Sequence, residues 1–124
     1  MGIEKPYFFD TYSFFEIINR NPNYSKYLKV TGATTKLNLM ELHYGLLKEY
    51  GRKFADEKYD SLESVTIEVD GTTIKQANEF RLENRKKKLS YIDCIGYVMA
   101  KTRNMKFLTG DKQFKNMENV EYVK

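Results

Sequence analysis

The stretch Tyr7-Phe8-Phe9-Asp10-Thr11-Tyr12-Ser13-Phe14-Phe15-Glu16 decides how the rest of the chain is read. Tyr7, Phe8 and Phe9 form a short apolar run of the kind expected of a buried strand, and the run stops at Asp10. Ser13 and Glu16 have capping-box spacing, and Phe14, Phe15, Ile17 and Ile18 supply the apolar face of a helix that ends at the Asn-rich turn Asn19 to Pro22. A strand that runs directly into a helix is the opening of an α/β unit.

The same alternation continues outward. Asn21 or Asn23 is placed to cap a short helix through Tyr27 and Leu28, and Ala33 to Lys36 reads as a second short strand. It leads into an amphipathic helix from Leu37 to Tyr50, with Leu39, Leu42, Leu46 and Leu47 expected to face inward and Gly51 as its stop. Phe54 to Leu62 suggests another helix, and Ser64 to Val69 alternates like a strand. Asp70-Gly71 turns the chain, and Thr72 or Thr73 caps a helix that runs to the basic stretch Arg85 to Lys88. Ser90 caps the next, with Ile92, Ile95, Val98 and Met99 as its buried stripe, and Lys106 to Thr109 and Val120 to Val123 complete the strands. The expectation is an α/β fold with a mostly parallel sheet and helices on both faces, whose ligands bind beyond the carboxyl ends of the strands.

Composition narrows the chemistry. The chain has 124 residues without linker, repeat or low-complexity tract, so residues 1–124 read as a single domain. The lone Cys94 cannot pair within the chain, which excludes a disulfide scaffold and fits a reducing cytoplasm. Apolar runs such as Leu46-Leu47 fall far short of the roughly 20 residues of a bilayer span, and no signal-peptide core is evident, so a soluble cytoplasmic protein is expected. Lys and Arg outnumber Asp and Glu by 21 to 17, unevenly: residues 1–78 carry 10 against 11, and residues 79–124 carry 11 against 6. Such a surplus suits a polyanionic partner and equally suits simple solubility.

Four acids stand at the edges of apolar segments. Asp10 and Asp111 each follow a strand, Glu41 lies in the first turns of the long helix, and Asp93 lies in the first turn of the helix capped by Ser90. Each has an ordinary structural role open to it: Ser90 and Asp93 have the spacing of a capping box, Glu41 can be a solvated helix residue, and Asp10 and Asp111 can be turn residues. Two carboxylates at about 4 Å repel by about 4 kcal/mol at an effective dielectric of 20, so a cluster requires a proton or a cation. Oxygen ligands without His or Cys select Mg²⁺ or Mn²⁺ over Zn²⁺.

The segments Phe8-Phe9-Asp10-Thr11, Leu39 to Leu46 around Glu41, Leu89 to Asp93, and Phe107 to Phe114 around Asp111 together resemble the PIN-domain ribonucleases, and within them the small VapC-like toxins of toxin–antitoxin pairs. The resemblance runs along essentially the whole chain, in order, with the acids spaced by 31, 52 and 18 residues. It implies a three-layer α/β/α fold with a central, mostly parallel sheet of about five strands. It also implies an acidic pocket of Asp10, Glu41, Asp93 and Asp111 that binds Mg²⁺ or Mn²⁺ and hydrolyses RNA phosphodiester bonds with a metal-activated water, leaving a 5′-phosphate and a 3′-hydroxyl. By the same likeness Thr109 and Thr11 support the acids, Asn116 stands nearest to where some relatives carry a further acid, an antitoxin is a partner, and a homodimer is the expected assembly.

Arg81, Arg85, Lys86, Lys87, Lys88 and Lys112 are candidates for RNA phosphates, although a solvated helix end accounts for the run at 85–88 as well. Lys115 is equally ambiguous. His43, two residues after Glu41, falls on another helix face, and Cys94 reads as a packing residue. Two other functions compete: a catalytically silent PIN-like RNA-binding or scaffolding protein, and a phosphoacceptor receiver domain, which fits badly because Asp70 is followed by Gly-Thr-Thr without the rest of that pattern.

Overall fold

The computed structural model describes residues 5–124. Its sheet has four parallel strands in the order β2-β1-β3-β4, with β1 at Tyr7–Phe9, β2 at Gly32–Ala33, β3 at Lys106–Thr109 and β4 at Val120–Tyr122. Five helices accompany it: α1 Thr11–Ile18, α2 Lys36–Tyr50, α3 Arg52–Leu62, α4 Gly71–Glu83 and α5 Tyr91–Thr102. A 3₁₀ segment, Pro22–Lys29, links α1 to β2.

Alternation along the strands builds the layers. Phe8 and Phe107 point to one face, where they pack with Leu89, Cys94, Met99 and Phe114 beneath α4 and α5. Phe9 and Leu108 point to the other, against Phe14, Tyr24, Leu39, Leu42 and Leu46 from α1, the 3₁₀ segment and α2. The result is the expected α/β/α sandwich. Helix α5 comes so close to the sheet that a Cβ on Gly96 would lie 2.8 Å from the Phe8 ring. Among the described residues no helix is long and apolar enough to cross a membrane.

The sheet is one strand smaller than expected. Glu63–Val65 form a 3₁₀ turn, and the alternating segment 64–69 contributes only one parallel bridge, Thr34 to Thr66. The ladder has no room to grow, because Thr35 leaves the sheet at once to cap α2, its side chain accepting from the Asn38 amide. Ile67 and Val69 still pack against the core. Helices start earlier than the sequence reading placed them: Asp10, not Ser13, caps α1, α3 begins at Arg52 rather than Phe54, and Asp70, not a threonine, caps α4. Leu47 is 39% exposed rather than inward-facing, and Arg85 to Lys88 lie beyond α4 in a loop.

Candidate active site

Strand register brings the first two candidate residues together. Phe9 pairs with Leu108, so Asp10 emerges beside Thr109 at the carboxyl edge of the two central strands. From β1 the chain goes to β2 on one side and later returns as β3 on the other, and a crevice opens where strand order reverses in this way. Asp10 and Asp111 stand at that crevice.

Local hydrogen bonds hold each acid in place. Asp10 Oδ1 accepts from the Ser13 amide at 2.8 Å, while the Ser13 hydroxyl donates to the Asp10 carbonyl at 2.8 Å. The Thr109 hydroxyl accepts the Asp111 amide at 3.0 Å and lies on the Asp10 side of the edge, where it favours the charged form of the Asp10 carboxyl. Asp111 Oδ1 in turn accepts from Gln113 N at 3.0 Å at the start of the 3₁₀ turn Lys112–Phe114. Asp93 completes a reciprocal capping box with Ser90: its carboxylate accepts from Ser90 N and its amide donates to Ser90 Oγ, both at 3.0 Å. Glu41 reaches the edge through Thr11, whose hydroxyl donates to Glu41 Oε1 at 2.6 Å.

Asn38, on the inner face of α2, was not singled out from sequence. It is 2% exposed, its side-chain amide donates to Thr11 Oγ1 at 3.2 Å, and its Oδ1 accepts from the Thr35 hydroxyl at 2.6 Å. A polar residue in the apolar stripe of an amphipathic helix, three positions before an acid, is the signal that could have found it.

The electrostatics favour a cation. Asp10 is 4% exposed, and burial pushes its pKa up to about 7 against hydrogen bonds from Thr109 and Ser13 that lower it; the charge of Asp93 raises it further. Asp93 is also raised, mainly by burial, with a smaller contribution from Asp111. Among the described residues none of the four acids forms an ion pair. The donor set is oxygen alone, which suits Mg²⁺ or Mn²⁺. Among the described residues no three acids, histidines or cysteines gather closely enough to form a ready-made cage. Mg²⁺ ordinarily takes one or two carboxylates and completes its shell with water and substrate phosphate, so the residues present fit such an ion.

The remaining candidates separate. His43 Nε2 lies 2.7 Å from Asp56 Oδ1, which ties α2 to α3 and engages this histidine away from Glu41. Burial pushes the Cys94 thiol up to about 11, and with no exposed surface it is a packing residue. Glu118 pairs with Lys101, and Asn116 is exposed beyond the 3₁₀ turn.

The sequence profile of the PIN domain matches residues 7–120. The chain belongs to the PIN-domain family. No curated protein is similar enough in sequence to serve as a relative. Among solved structures, this PIN domain is similar in fold to VapC20 of Mycobacterium tuberculosis, described as a toxin cleaving the sarcin–ricin loop. That pair has a TM-score of 0.79 and 16% identity, over 95% of this chain and 99% of the other. VapBC2 of Rickettsia felis, solved on a DNA fragment from its promoter, gives 0.72 and 22% over 95% and 98%. A toxin–antitoxin complex from Klebsiella pneumoniae gives 0.74 and 17% over 92% and 94%.

Beside the turn after Asp111, the PIN domain holds its basic loop through the side chain and the backbone carbonyl of Gln113. Gln113 accepts from Lys88 N at 2.6 Å and donates to Lys88 O at 3.1 Å, and Lys87 Nζ donates to the Gln113 carbonyl at 2.8 Å. Gln113 follows Asp111 by two residues, so loop and acid share one anchor.

Proposed function

We propose that this PIN domain is a Mg²⁺- or Mn²⁺-dependent endoribonuclease and the toxin of a toxin–antitoxin pair. The observation that carries the reading is Asp10, buried at the carboxyl edge of the central strands and, among the described residues, in no ion pair, with the charge of Asp93 acting on it and that of Asp111 acting on Asp93. When bound there, a divalent ion lowers the pKa of a coordinated water and offsets charge on the phosphoryl oxygens. Asp10, Asp93 and Asp111 would hold it, with Glu41 on the far side of Thr11. The protein's own contribution is positional: Thr109 fixes Asp111, Asn38 and Thr11 orient Glu41, and Lys86, Lys87, Lys88 and Lys112 present positive charge to the backbone of the substrate.

An apolar groove of about 310 Å³, with Ile17, Ile18, Leu28, Leu62 and Val65 on its walls, supports an antitoxin partner, since such grooves take the apolar face of an amphipathic segment. Met40, Tyr44 and Leu47 line an exposed face of α2, which supports association with a second copy in the cytoplasm.

The test is cleavage of single-stranded and structured RNA with Mg²⁺ or Mn²⁺. EDTA and Asp10→Asn each stop it, and the products carry 5′-phosphates. Cleavage that survives both treatments overturns the mechanism. Salt-sensitive RNA binding without turnover under any metal favours the catalytically silent alternative.

A further inference from the structure

A cationic cleft lies between α4 and the start of α5, the helix that carries Asp93. It has a volume of about 330 Å³ and walls that include Asn78, Arg81, Leu82, Arg85, Lys87 and Tyr91. The Arg81 guanidinium carbon stands 4.1 Å from the centre of the Tyr91 ring, and Arg81 Nε is fixed by the Leu89 carbonyl at 3.2 Å. The tyrosine is therefore backed on one face by a cation that is itself anchored. The rest of the ring is open, for Tyr91 is 61% exposed. Tyr91 begins α5, and Asp93 lies two residues later in the same turn.

We propose that Tyr91, backed by Arg81, is a stacking platform for one unpaired base of the RNA substrate. The inference rests on the ribonuclease reading and adds to it a determinant of substrate choice. Two observations support a nucleotide over an apolar protein segment. The walls are cationic as well as aromatic, so a base can stack while Arg85 and Lys87 meet the adjoining phosphate. The loop bearing these cations is already ordered by Gln113, so little entropy is lost when a ligand binds. A base within a duplex is already stacked on its neighbours, so the platform selects loops and single strands.

The experiment measures binding of a fluorescein-labelled single-stranded RNA in EDTA, and its cleavage in Mn²⁺, for the full chain and for Tyr91→Ala and Tyr91→Phe. A parallel set of the same RNA carries one abasic ribose at each position in turn. Tyr91→Ala weakens binding about tenfold, in the range set by base–aromatic stacking, and Tyr91→Phe restores it. At one position the abasic ribose costs wild type the same factor and costs Tyr91→Ala nothing more. Equal binding by wild type and Tyr91→Ala, in a wild type that cleaves RNA, overturns the platform and leaves the ribonuclease reading in place. So do losses that add at every position, or unchanged RNA affinity with a changed oligomeric mass, which would mark Tyr91 as a protein contact. A wild type that neither binds nor cleaves RNA overturns both readings.

Discussion

Asp10 serves two ends: its carboxylate caps α1, and its burial makes the negative charge costly. The consequence is a pH dependence with a definite sign. A carboxyl raised from 3.8 to about 7 on folding takes up a proton across that interval, so stability falls as pH rises through it, by up to roughly 4 kcal/mol. Asp93 acts in the same direction. Asp56, Asp70 and Glu118 are held low by their partners and act oppositely, their contribution being lost in more acidic solution. The metal-free protein should therefore melt at lower temperature near pH 8 than near pH 5. Asp10→Asn should flatten that slope, since Asn caps a helix as well as Asp does. Mn²⁺ near pH 8 should raise the melting temperature of wild type more than that of Asp10→Asn; a wild-type profile without slope would contradict the burial argument. Asn38 allows a second test. Asn38→Ala removes the partner shared by Thr35 and Thr11 and should cost about 1–3 kcal/mol in urea unfolding. Because Asn38 acts on Glu41 through Thr11, Asn38→Ala combined with Glu41→Gln should cleave no more slowly than Glu41→Gln alone.

Elements were legible where one physical signal governs. Strands β1 and β3 are short aromatic or apolar runs closed by Asp10 and by Gly110-Asp111, and α5 carries a capping box in its sequence, which the structure forms in full. Segment 64–69 misled because alternation reports which side chains face the core, and Ile67 and Val69 do so without a neighbouring strand long enough to pair with. The start of α1 differs because Asp10 reads from sequence as a ligand or a turn residue and Ser13 as the cap, whereas an aspartate can cap a helix and still present its second oxygen to a cation. Close approaches were not legible at all. A Cβ on Gly110 would meet Tyr12 Cε1 at 2.2 Å and the Val123 carbonyl oxygen at 2.6 Å, so α1, β3 and β4 converge on a residue that must have no side chain. Gly110→Ala should cost about 1–3 kcal/mol and weaken Mn²⁺ binding, because any shift passes directly to Asp111. Gly71, in the first turn of α4 with nothing within 4 Å, is the control. Gly71→Ala should be neutral or stabilising by up to about 1 kcal/mol, and equal losses at both sites would refute the packing explanation.

At the scale of the whole molecule, a net charge of +4 understates what an RNA would meet. Asp10 and Asp111 follow the two central strands at their carboxyl edge, and the exposed Lys86 and Lys88 lie in a loop that Gln113 holds against the turn after Asp111. Such a field attracts phosphates at the rim and leaves the centre to a cation, so affinity and catalysis should respond to different charges. Phosphate contacts release counterions, and each one on a single strand contributes about −0.7 to the slope of log K against log salt. If Lys86 and Lys88 each meet one phosphate, replacing both with Ala should make that slope shallower by about 1.4 and leave the Mn²⁺ concentration needed for cleavage unchanged. Lys48 in the last turn of α2 and Lys53 in the first turn of α3 lie toward the opposite edge, because α2 begins at the carboxyl end of β2 and runs away from it. Replacing those two with Ala removes the same net charge, so a general electrostatic effect would lower the slope equally for both pairs. A change confined to Lys86 and Lys88 would locate the RNA backbone on the loop beside the acids.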